Sequence, residues 1–235
     1  MPHLREAVEF PFRGPKWAYR LGLGGALCAL PIFAFTILGQ AMDLLKSFLV
    51  SVPLGLVYFL IGGYIFNVFR VALHEETGAA ELPAWRDWKG LLFRGFVLFV
   101  IEAGYGLLPL LIIALGIGVL YRGGWWLFTG MLLLMMGLLA FLLMGFFFPM
   151  GVCQYIRWKR LEAAFLFPSL WRAIRSVLVE YVSVFLFCLL ALLALGFVAL
   201  IPILGPILFS LLGFYPAVVS ARLFGEVCSK SGTKR

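Results

Sequence analysis

Two carboxylates stand inside otherwise apolar stretches of the 235-residue chain, Glu102 and Glu180. An ionised side chain at the centre of a bilayer costs about 2.5–3.5 kcal/mol on insertion scales, so each acid needs a partner or a function. Glu102 lies eight residues beyond Arg94 and Glu180 eight beyond Arg172. At 1.5 Å per residue both are expected about 12 Å in, at a common depth. Acids converging there would share a proton, which suits proton or ion carriage. The structural alternative pairs Glu102 or Glu180 with Arg70, Arg157 or Arg222, with Asn67 and Gln154 completing a buried polar network. Residue types alone leave both readings open.

Other chemistry is sparse. His3 and His74 lie outside the apolar stretches, so no bis-His haem or H-E-x-x-H site is available. No G-x-S-x-G occurs, and Ser183 and Ser210 have no intramembrane His to activate them. Asp43 and Asp87 are expected on opposite membrane faces, too far apart for an aspartyl dyad, and there is no P-loop motif. Cys28, Cys153, Cys188 and Cys228 are widely spaced without C-x-x-C, which signals neither zinc nor a disulfide framework and suggests apolar thiols. A non-enzyme without metal or cofactor is expected.

The elements that would position the acids follow from composition. Hydrophobic residues make up 63% and charged residues 13%, with mean hydropathy +1.05, far from the balance of a soluble domain. About 20 apolar residues cross the hydrocarbon, and six stretches qualify: 17–39, 48–72, 90–120, 125–152, 176–200 and 203–224. They are rich in Leu, Phe and Gly without period-2 alternation, which predicts helices rather than a barrel. The fold expected is an all-α, six-helix membrane bundle forming one domain over 1–235.

Of the 19 Lys and Arg residues, only Lys46 and Arg122 fall on one side of these spans; the others cluster on the opposite side. The positive-inside rule then places both termini and both long connections in the cytoplasm. Trp17, Trp85, Trp88, Trp158 and Trp171 sit among these bases, as lipid-interface anchors do. Trp85 and Trp88, three apart, would share one face of an in-plane helix, and 155–175 reads in the same way.

Internal similarity suggests a threefold organisation. Leu92-Phe93-Arg94 aligns with Leu170-Trp171-Arg172, bringing Glu102 onto Glu180, and Pro11 to Trp17 offers a third lead. Even-numbered spans close alike, at Arg70, Arg157 and Arg222. Either three two-helix units repeat in parallel, or common interfacial punctuation produces the matches.

Gly63-Tyr64 running to Arg70, Glu81 to Trp88, Phe10-Pro11-Phe12-Arg13, and Ile201 to Gly225 together resemble a prokaryotic membrane-protein family, domain of unknown function 4013. The resemblance implies a polytopic helical protein of the cell membrane and carries no activity or catalytic residues. Two functions are expected. One is transport or permeability for a small solute or lipid, using Glu102 and Glu180. The other is a scaffold whose basic aromatic face binds anionic headgroups, a membrane-protein partner or a second copy; nucleic acid is not called for.

Overall fold

The computed structural model describes residues 4–38, 44–74, 81–202 and 204–231, with the side chains of 32–52 outside the description. Most of the described chain is helical: α1 (Leu4–Glu9), a 3-10 turn (Phe10–Phe12), α2 (Trp17–Leu38), α3 (Leu44–His74), α4 (Trp88–Leu120), α5 (Trp126–Trp158), a second 3-10 turn (Leu161–Phe165), α6 (Phe167–Ser176), α7 (Leu178–Ala199) and α8 (Leu204–Ser231). Among the described residues, five helical stretches are long and apolar enough to cross a membrane: Pro53–His74, Trp88–Leu120, Trp126–Trp158, Leu178–Ala199 and Leu204–Ser231. The expected first span coincides with α2, a helix of 22 residues. Lys46, one of the two bases assigned to the far side, lies outside the described side chains. The helices run on through Pro31, Pro53, Pro109, Pro149 and Pro216.

Two compact units divide the chain, Met1–Leu98 with Ile174–Arg235, and Phe99–Ala173. In the first, α8 is the hub, packed by α2, α3 and α7. Its second half is therefore buried on nearly every side, through Phe214, Val218, Val219, Leu223 and Val227. The start of α4 meets α3 backbone to backbone. A Cβ on Gly63 would overlap the Leu91 carbonyl oxygen, and one on Gly95 would overlap that of Phe59. Small residues at such crossings let helices approach where lipid offers no hydrophobic drive.

The second unit holds the α4–α5 hairpin. Its turn uses Gly123 and Gly124, both left-handed with φ of 68° and 58°, where a Cβ is disfavoured. Arg122 lies in this turn, 5.6 Å from the Trp126 ring. At the other end, Lys159 closes α5 in the left-handed region (φ 53°), sending the chain into the second 3-10 turn.

One expectation changes. Residues 81–87 are irregular, not an in-plane helix, because α4 begins only at Trp88. The fifth span begins at Leu178, close to its expected start, and Val177 (φ −132°, ψ 29°) separates it from amphipathic α6, which lies within the stretch expected in the membrane plane. Cys28 and Cys188 are free thiols, as expected.

Candidate functional site

The segment 81–87 inserts into the first unit. Tyr64 of α3 and Trp85 stack with ring centroids 4.1 Å apart and planes 15° from parallel, and Phe214 of α8 lies 5.6 Å from the first ring. Both stacked rings are buried, yet their polar atoms are satisfied. Tyr64 Oη donates to the Pro83 carbonyl at 2.9 Å, and Trp85 Nε1 donates to the Arg20 carbonyl at 3.0 Å. Arg20 in turn donates to the Leu82 carbonyl and reaches the Glu81 carboxylate at 3.3 Å. Trp85 is therefore not the lipid-interface anchor expected; burial with a paired N–H suits indole better than exposure.

Asp87 joins this segment to α4. Its Oδ1 accepts the Gly90 N–H at 3.1 Å, and its Oδ2 lies 3.0 Å from Arg94 Nη2. The Gly90 bond satisfies one of the orphan donors at the helix start.

The expected intramembrane acids occupy different settings. Glu102 lies on α4 in the second unit and is exposed. Glu180 lies in the first unit, in the first turn of α7, 3.3 Å from Lys230 of α8. Its depth cannot be counted from Arg172, because the helix is interrupted between them. The anticipated partners are also engaged elsewhere: Arg70 donates to Asn67 Oδ1 at 2.8 Å, and buried Arg222 holds Glu226 at 2.6 Å and the Phe10 ring at 4.8 Å. Arg157 sits half-buried in the last turn of α5.

In the second unit, Gln154, Trp158, Arg160, Glu162, Ala163, Leu166 and Ser169 line a pocket of about 260 Å³. Trp158 Nε1 donates to Gln154 Oε1 at 2.9 Å, an i to i+4 bond along α5 that orients the ring. Tyr105 supports the wall. It donates to the Ala164 carbonyl and stacks on Phe165 at 5.3 Å, and Gly151 leaves room for its hydroxyl. The remaining tryptophans stay at the surface: Trp17 lies 5.1 Å edge-on to Phe12, while Trp88 and Trp171 are each nearly half exposed.

Glu102 and Gln154 share the second unit, while Glu180, Asn67, Arg70 and Arg222 share the first. Tyr64, Arg20 and Glu226, and the pocket residues Arg160, Glu162 and Ser169, were not among the site residues expected from the sequence. Glu226 stands at i,i+4 from Arg222, a spacing that could have marked it, whereas the contacts of the others bridge segments or depend on a left-handed turn. Among the described residues, no group of three or more His, Cys, Asp or Glu side chains is placed to hold a metal.

The model of the family described as "Protein of unknown function (DUF4013)" matches residues 47–219. No curated protein and no solved structure matches. Because the match covers most of the chain, the protein belongs to the DUF4013 family.

Proposed function

We propose that this is a non-enzymatic, multi-pass protein of the prokaryotic inner membrane that binds lipid through a basic, aromatic cytoplasmic face, both termini lying on that side. The observation that carries the reading is the exposure of four tryptophans expected as anchors: Trp17 40%, Trp88 46%, Trp158 61% and Trp171 44%. Bases adjoin them in sequence, at Lys16, Lys89, Lys159 and Arg172. Indole at headgroup depth with Lys and Arg beside it favours anionic lipid by about 1 kcal/mol per base. A six-span topology, with α2 as the first crossing, keeps these bases on one side.

Lipid retention by the detergent-purified chain tests this. Wild type is expected to hold anionic phosphatidylglycerol, with progressive loss in Lys159→Glu and Arg172→Glu. Equal retention by all three proteins would overturn the reading.

Transport of a small solute or lipid is the second reading, favoured by exposed Glu102 within the apolar helix α4. The ion pair of Glu180 with Lys230 gives that acid a structural role instead. Reconstituted liposomes assayed for ion flux and lipid scrambling decide it: either activity, lost in Glu102→Gln, supports transport, and silence in both rejects it.

A further inference from the structure

We propose that the pocket at the end of α5 is a site for a zwitterionic phospholipid headgroup, a phosphodiester joined to a primary ammonium. Arg160 and Ser169 take the phosphate, and Glu162 with the Trp158 ring takes the ammonium. This rests on the lipid-binding reading and names the ligand class at one place on that face.

Size is the first argument. A volume of about 260 Å³ falls below the roughly 300–1,000 Å³ of pockets for drug-sized ligands and suits a headgroup. Charge is the second. The lining carries one base and one acid, Arg160 and Glu162, and among the described residues neither forms a salt bridge. A lone anion would be drawn by Arg160 and repelled by Glu162, whereas a ligand with both signs answers both.

Aromatic geometry is the third. The Trp158 N–H is taken by Gln154 and its ring lines the pocket, where an indole π-system attracts a cation. Ser169 adds a hydroxyl that donates or accepts. Finally, the site is built for a lipid rather than a soluble phosphoester. Trp158 and Leu166 line it and are 61% and 55% exposed, leaving apolar surface beside the headgroup for glycerol and acyl chain.

The full chain, purified in detergent, is titrated with dioleoyl-phosphatidylethanolamine, -phosphatidylglycerol and -phosphatidylcholine, and retained lipid is counted by native mass spectrometry. Wild type is expected to prefer phosphatidylethanolamine to phosphatidylcholine, whose quaternary ammonium cannot donate to Glu162. Glu162→Gln is expected to lower ethanolamine-lipid retention about tenfold, the loss of one charge-assisted hydrogen bond, while sparing phosphatidylglycerol. Arg160→Gln is expected to weaken both. Glu162→Lys, which leaves the exposed position charged, is expected to reverse the preference toward phosphatidylglycerol.

An unchanged ethanolamine-to-glycerol ratio in both Glu162 variants would overturn the proposal while leaving the basic-face reading standing. Equal binding of the choline lipid would overturn the ammonium assignment. Competition by soluble O-phosphoethanolamine as strong as that by the lipid would overturn the lipid assignment. Retention of no lipid by wild type would remove this proposal and the broader reading together.

Discussion

Tyr64 and Trp85, 21 residues apart in sequence, form a 4.1 Å stack in which the tyrosine hydroxyl and the indole N–H each bond a backbone carbonyl outside the pair. The stack fastens residues 81–87 to α2 and α3. Without those two bonds, burying both rings would leave a hydroxyl and an N–H unsatisfied in an apolar core. Trp85→Ala is expected to lower stability by about 3–5 kcal/mol, and Tyr64→Phe by about 0.5–1.5 kcal/mol. Thermal unfolding in detergent measures both; equal losses would contradict the division between ring packing and hydrogen bonding.

Gly63→Ala and Gly95→Ala each place a methyl group on a facing backbone carbonyl, where no side chain can yield. Each is expected to cost at least about 1–3 kcal/mol, the range for overpacking. Gly118→Ala, on the same helix as Gly95 but in open space, is the control and should be neutral or slightly stabilising in the same melts.

Glu226 neutralises buried Arg222 at 2.6 Å. Glu226→Ala removes that carboxylate and is expected to destabilise the protein by about 3–5 kcal/mol. The double variant Arg222→Met with Glu226→Leu should recover much of the loss, since it removes both charges. A double variant as unstable as the single one would show that packing, not charge, dominates there.

The Glu180–Lys230 pair is part-exposed, with side chains 32% and 43% accessible. Exposed ion pairs contribute about 0.2–1 kcal/mol, so Lys230→Ala should cost no more than about 1 kcal/mol. A Lys230→Ala melt showing a loss of several kcal/mol would mean that Glu180 stands in a drier environment than the pair's accessibility indicates.

Much of the architecture was legible in the sequence because it depends on transfer energy summed over some 20 residues, which composition records directly. Five candidate spanning helices overlap the predicted stretches, with α5 and α8 running on past 152 and 224 to Trp158 and Ser231, and the α7–α8 turn falls at Ile201-Pro202 as expected. The site was far less legible. Trp85 and Trp88 read as one amphipathic face, but the left-handed Asp87 (φ 55°) separates them, leaving one buried and the other at the surface. Glu180 read as a deep acid until the interruption at Val177 moved it to a helix start.

By itself, the sequence determined the class of the protein: helices apolar enough to cross a membrane, the approximate position of the five candidates among the described residues, and a basic surplus stationed at helix ends. These follow from local composition and from period, which require no knowledge of neighbours. Only the tertiary structure decided which tryptophan is core, which acid is paired with Lys230, and that Arg160 and Glu162 line one pocket. Those outcomes depend on single backbone dihedrals and on contacts between distant segments, where a change of one residue's φ redirects a whole side chain.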